Sequence, residues 1–270
     1  RGTGAAARAV LYDVRTSMET VLATAQTGSV DIAASFVVWD QLTGGTQWDV
    51  FVRDLVTGTT TNLGSPATDE FGPSVRGGQI AYVGTSAGSL ITHIVQYDGT
   101  AGTWGAPSIQ TPGSTAGAGH QGPKIDFVMG AWTDGRSISG TATLTSDWDT
   151  YYAPFSPVTG LTTWPGENVL AIAVGAEIVR NVDSQIVVFD DNTAGNWNVA
   201  ASFLGSAPLT ITSSSATQVA ISNSGSHLVW HDNRLGSFDI FQSFYGGATF
   251  RPVAGDIVIG EVLADPAAGA

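Results

Sequence analysis

The chain alternates short apolar runs with polar, glycine-bearing turns, most plainly from Phe36 to Leu55, FVVWDQLTGGTQWDVFVRDL. An apolar run ends in an acid, a polar turn follows, and a second run opens on Trp48-Asp49-Val50-Phe51. This is the pattern of a β-hairpin with a turn longer than two residues. Ser226 to Tyr245, SHLVWHDNRLGSFDIFQSFY, repeats it, with His231-Asp232 in the place of Trp39-Asp40 and Phe238 to Phe241 in the place of Trp48 to Phe51. In FVVWD the alternation gives way to continuous apolarity, as expected of a strand packed on both faces, whereas WDVFVRDL alternates in part and leaves Arg53 toward solvent.

Weaker copies of the unit follow the same hydrophobic pattern. Their first runs end at Asp40, Gly84, Asp134, Asp183 and Asp232, separated by 44, 50, 49 and 49 residues. Such a period accommodates four short strands with their turns and predicts an all-β chain, a β-propeller of four-stranded antiparallel blades. No 3.6-residue apolar period supports a helical repeat. Ala9 to Leu22, AVLYDVRTSMETVL, matches the outer half of a blade, and Asp256 to Pro266, DIVIGEVLADP, is long enough for the inner half. The expectation is therefore a six-bladed ring closed by terminal strands, since closure removes free edges. Residues 9–254 form the propeller, and 255–270 are either its closing strands or the truncated start of a further β-domain, in which case five blades remain.

The phrases VVWDQLTGGTQWDVFVRDLVTGTTTNL and LVWHDNRLGSFDIFQSF resemble the WD40-like β repeats of bacterial TolB-like propellers. In that family a strand ending in Trp/Phe-x-Asp precedes an Asn/Arg/Gly-rich turn, an Asp-Ile-Tyr/Phe strand and an Asp-Leu-x-Thr-Gly turn. The resemblance covers roughly residues 9 to 250 and implies a scaffold rather than one activity, because the family includes periplasmic interaction modules and domains attached to enzymes. Gly255 to Gly269, GDIVIGEVLADPAAG, resembles the opening of a lamin-tail-like domain, through Val258 to Pro266. That resemblance implies a modular secreted parent.

Composition narrows the partners. Ten basic against 23 acidic residues give a formal net charge of −13, and Lys124 is the one lysine. A phosphate backbone would be repelled, so nucleic acid is excluded as the expected partner. There is no cysteine, which removes disulfides and thiol chemistry. No apolar run reaches 18 residues, so a membrane-spanning helix is not expected. The acidity, the absence of cysteine and a start at Arg1 that reads as a processed product point to an extracellular, periplasmic or cell-surface location.

No HExxH, Walker or GxSxG sequence is present, and GTSAG at Gly84 to Gly88 reads as a hairpin turn. If the repeated acids meet on one rim, Asp40, Asp134, Asp183 and Asp232 are the candidate catalytic carboxylates of a propeller glycoside hydrolase, which needs two carboxylates about 5 to 9 Å apart. The other reading is that each acid accepts backbone N–H bonds in its own turn. No cofactor is required. Calcium is the candidate ion, with Asp190, Asp191 and Asp232 in the oxygen-rich turns DDNTAGN and DNRLGS as candidate ligands. His231 beside Asp232 would make a proton-transfer pair only if the strand has already ended, and the lone His93 reads as structural. Trp148, Tyr151, Tyr152 and Phe155 are dense for a connection and form either a hydrophobic cap or a ligand-binding platform. The function expected is non-catalytic binding of a protein or carbohydrate partner.

Overall fold

The computed structural model describes residues 8–23, 25–65, 67–86, 89–110, 120–135, 148–154, 168–171, 175–203, 206–213, 215–225 and 227–244. These form six antiparallel sheets in chain order. The first holds β1 (Val10–Asp13) and β2 (Met18–Val21), and the second β3 (Thr27–Ala33), β4 (Phe36–Thr43), β5 (Gln47–Asp54) and β6 (Thr60–Asn62). In the third, β7 (Glu70–Arg76), β8 (Gln79–Ser86) and β9 (Ser89–Asp98) are joined by β10 (Thr103–Trp104) and β11 (Ser108–Gln110), both paired with β9. The fourth holds β12 (His120–Ile125), β13 (Met129–Asp134), β14 (Asp149–Pro154) and β15 (Asn168–Ala171). The fifth holds β16 (Glu177–Asp183), β17 (Ile186–Asp191), β18 (Asn198–Phe203) and β19 (Leu209–Thr210), and the sixth β20 (Gln218–Ser224), β21 (His227–Asp232) and β22 (Asp239–Phe244).

From the third sheet onward, the first strand of each sheet lies against the first two strands of the sheet before it. One hydrophobic cluster fills each junction. Phe36, Val38, Val50 and Val52 meet Val75, Ile80, Tyr82 and Val95 between the second and third sheets, and Ile186, Val188 and Val199 meet Ala220, Leu228 and Trp230 between the fifth and sixth. The second strand of a sheet therefore has two buried faces. In β4, Val37 and Trp39 pack toward the first sheet while Phe36 and Val38 pack toward the third. This is why the sequence is continuously apolar there.

Counting from the start of each second strand in sheets two to six, the fourth residue is aromatic every time: Trp39, Tyr82, Trp132, Phe189 and Trp230, none more than 5% exposed. Each ring belongs to the junction with the preceding sheet. That repetition is the unit underlying the spacing of the sequence.

The expectation of a closed six-bladed ring of four-stranded blades is corrected. The sheets hold two, four, five, four, four and three strands, none is closed on itself, and β1 pairs only with β2 among the described residues. The same finding removes the five-bladed closed ring. Periodicity counts hairpins, because hairpin pairing is local, but it carries no information on how distant edges join. The first sheet remains a two-stranded ribbon with every residue of β2 exposed. Residues 255–270, expected either to close the ring or to open another domain, lie outside the described residues.

Removing one of the repeated rings should be costly. Trp132 is fully buried against Ala81, Ile94, Ile125 and Tyr151, so Trp132→Ala should lower the unfolding free energy by about 3–5 kcal/mol, measured by urea denaturation.

Candidate functional site

Sheets two to six each carry a β-bulge between their first and second strands, at Thr27/Val30, Phe71/Ser74, Gln121/Lys124, Val179/Asn181 and Ala220/Ser222. A bulge takes backbone N–H groups out of the ladder, and these need other acceptors. Gly72 and Gly122 adopt positive φ there, 63° and 51°, and each precedes a proline, which has no N–H to lose.

In the second, fourth and fifth sheets the fifth residue of the second strand supplies an acceptor to the following sheet. Asp40 Oδ1 accepts from Gly28 N–H at 2.8 Å and Ser29 N–H at 2.7 Å in its own sheet, and Oδ2 accepts from Gly72 N–H at 2.8 Å in the next. Thr133 Oγ1 accepts from Val179 N–H at 2.9 Å, and Asp190 Oδ1 from Ala220 N–H at 2.7 Å. These side chains fasten one sheet to its successor.

The four aspartates proposed from the sequence as a common rim occupy three different positions. Asp40 is the fifth residue of its strand, Asp134 and Asp232 are the sixth, and Asp183 ends a first strand at the other end of its hairpin. Alternation along a strand sends fifth and sixth residues to opposite faces. Asp183 Oδ2 accepts from Gly225 N–H at 2.6 Å and its Oδ1 pairs with Arg76. Asp232 accepts from Arg234 N–H at 2.8 Å and from its Nε at 2.6 Å. Asp134 lies directly across from Asp149, and both are buried at 0% and 2% exposure, so this carboxylate pair does not line an open cleft.

The residues considered for calcium are engaged as well. Arg180 Nε donates to Asp190 Oδ2 at 2.5 Å, and Asp191 Oδ1 accepts from Thr193 N–H at 2.7 Å. Burial raises the Asp190 pKa, against the opposing effect of Arg180. Among the described residues no group of three His, Asp or Glu side chains could hold a metal ion. Of the aromatic group, Tyr151 is 4% exposed in the core beside Trp132, and Tyr152 packs against the Met129 cluster. Trp148 covers Gly135, and Phe155 lies outside the described residues. His231 stacks on Phe238 with centroids 4.8 Å apart, while Asp232 turns to Arg234, so the two do not act as a proton pair.

An open cleft of about 320 Å³ lies instead between the second and third sheets, lined by Gly28, Asp40, Trp48, Asp69 and Phe71. Gly28 and Phe71 belong to the two adjacent bulges. A side chain at position 28 would meet Asp40 Oδ1 at 2.8 Å, which requires glycine there. Asp69 is exposed; its Oδ1 accepts from Trp48 N–H at 2.9 Å, and Oδ2 has no donor among the described residues. Behind the cleft Asp49 and Glu70 are buried, and Glu70 accepts from Thr68 Oγ1 at 2.5 Å and Ser65 N–H at 3.1 Å. Burial raises the Glu70 pKa, and the charges of Asp49 and Asp69 raise it further.

Trp48, Asp69 and Phe71 were not nominated by the sequence reading. A usable signal exists in the Gly-Pro step of EFGPSVR, repeated in HQGPKID, which marks the bulges beside which such a cleft opens.

No family model matches the chain, and no curated protein matches it. Solved structures do resemble its fold. TolB from Acinetobacter baumannii is 13% identical with a TM-score of 0.54, over 87% of this chain and 56% of that one, so the chain spans little more than half of that protein. The β-propeller domain of the Trilobed protease from Pyrococcus furiosus, described as having an open velcro topology, is 10% identical with a TM-score of 0.59, over 91% and 73%. A putative TolB from Agrobacterium tumefaciens is 11% identical with a TM-score of 0.53, over 86% and 87%. The chain is thus a distant structural relative of β-propeller proteins, TolB-like ones among them. At 10–13% identity the likeness is one of fold alone.

Two outcomes test this account. Asp40→Asn replaces an acceptor of three N–H bonds by a group with one acceptor oxygen, and should cost about 1–3 kcal/mol in urea unfolding. The raised Glu70 pKa means that the folded state holds its proton more tightly than the unfolded chain. Its contribution to stability is fully present below the ordinary value of 4.5 and is lost as pH rises through the folded value. Between wild type and Glu70→Gln, the difference in unfolding free energy should therefore change with pH across that window.

Proposed function

We propose that this protein is a non-catalytic binding scaffold acting outside the cytoplasm, and that it holds an extended, positively charged segment of a partner protein in the cleft between its second and third sheets. The observation that carries the reading is the cleft itself, where two aromatic rings, Trp48 and Phe71, meet an exposed carboxylate, Asp69, one oxygen of which has no donor among the described residues. Aromatic walls with few polar groups are the usual lining of a binding site. The local charge agrees, since Asp40 and Asp69 line the cleft and Asp49 and Glu70 stand behind it.

Other features support the same reading. Asp40, Asp183, Asp190 and Asp232 are engaged in holding backbone or arginine groups, a structural use of carboxylates. A net charge of −13 favours a cationic partner and disfavours nucleic acid. No described helix is long and apolar enough to cross a membrane. Distant likeness to TolB-type structures accords with a scaffold role and with an extracytoplasmic setting, as do the acidity and the absence of cysteine.

The test is calorimetric titration of the intact protein with short basic peptides, neutral peptides and neutral oligosaccharides. Basic peptides should bind most tightly, and Trp48→Ala should weaken them about tenfold, the effect of losing an aromatic contact and its burial. Affinity should fall as salt rises from 50 to 500 mM, roughly the range over which the Debye length contracts from above 10 Å toward a few ångströms. Salt-independent binding of oligosaccharide in preference to peptide, or hydrolysis of any glycan offered, would overturn the assignment.

A further inference from the structure

Among the described residues, Arg234 and Arg76 each sit between an aromatic ring and an aspartate. Arg234 lies over the Phe241 ring, 4.7 Å from its centroid, while its guanidinium donates to Asp232. Arg76 lies over Phe127, 5.2 Å from the centroid, and pairs with Asp183. The combination is favourable because a guanidinium is planar and weakly hydrated; it can stack on a ring while its edge donates to a carboxylate.

The cleft of Trp48, Phe71 and Asp69 has the ring and the acid but no cation. None of its lining residues is basic. Asp69 Oδ1 is held by Trp48 N–H, which fixes the carboxylate beside the indole, and Oδ2 remains available. Asp40 brings a second negative charge to the same wall, with its three N–H bonds holding it in place.

Resting on the proposed binding role, the geometry points to a more specific occupant: the cleft is a receptor for a single arginine side chain on the partner segment, with the guanidinium stacked on Trp48 or Phe71 and donating to Asp69. Lysine fits less well. Its ammonium is a compact, strongly hydrated charge that can pair with Asp69 but has no planar face to lay on the indole. Citrulline keeps the shape of arginine and lacks its charge, and so separates electrostatics from fit.

The experiment follows the tryptophan indole N–H resonances of the intact protein by NMR, with the Trp48 signal assigned by its loss in Trp48→Phe. The probes are three blocked tripeptides, Gly-X-Gly, with X arginine, lysine or citrulline. The arginine peptide should shift the Trp48 resonance saturably, the lysine peptide several-fold more weakly, and the citrulline peptide at least about tenfold more weakly. Asp69→Asn, which keeps the acceptor for Trp48 N–H but removes the charge, should weaken the arginine peptide about tenfold, as expected for a charge-assisted bond. Equal binding of citrulline and arginine, or an unchanged affinity in Asp69→Asn, would overturn the arginine assignment and leave the cleft as a binding site. A Trp48 resonance that no peptide moves would overturn both the arginine assignment and the cleft as the place of binding.

Discussion

The structure depends on one problem and its solution: how to bury both faces of a strand that sits beside a bulge. Hydrophobic stacking of the second strands between neighbouring sheets requires every polar group at the junction to find a partner, because an unsatisfied buried N–H costs about 1–3 kcal/mol. The bulges create such groups in every sheet from the second to the sixth. Asp40, Thr133 and Asp190 answer those of the third, fifth and sixth sheets from the sheet before. The bond that satisfies the backbone also fixes the angle between sheets, so packing and polar satisfaction are the same event.

A second tier of the same kind operates at the opposite end of the hairpins. Asp126 accepts from Val128 and Met129 N–H in its own turn and from Gln185 N–H in the next sheet, and Asp183 does the equivalent for Gly225. Between the fifth and sixth sheets both ends of the junction are thus held by buried carboxylates, Asp190 and Asp183. Acidity in this chain has two uses that composition cannot separate: some aspartates are structural acceptors, and others, such as Asp69, remain on the surface with capacity to spare.

The bulges also explain why a cleft opens where it does. The bulges of β3 and β7 bring Gly28 and Phe71 to the cleft, with Asp40 bonded to the backbone of both strands. The glycine is required there because the carboxylate occupies the space a Cβ would need. The cleft arises beside the device that joins the sheets, and Trp48 and Asp69 line it from the adjoining hairpin and loop.

What the amino-acid sequence determined by itself was local. The all-β character, the hairpins β4–β5 and β21–β22 and the burial of FVVWD on both faces follow from residue periodicity, which a strand expresses within its own few residues; the equivalence of Trp39 with Trp230 does not, since the sequence pattern sets His231 in its place. The face an acid takes is different, because one residue of spacing reverses it. Asp40 follows the buried Trp39 directly, whereas His231 separates Trp230 from Asp232, so the two acids take opposite faces of their strands, and the partner of Asp40 in position is Asp190 rather than Asp183. Which sheet edges pair, which acids are consumed by backbone bonds, and that Tyr151 is core while Trp48 borders a cleft, are set by contacts between segments tens of residues apart. Only the tertiary structure decides those, because the energy of a long-range contact depends on where the chain has been brought, and no local pattern encodes it.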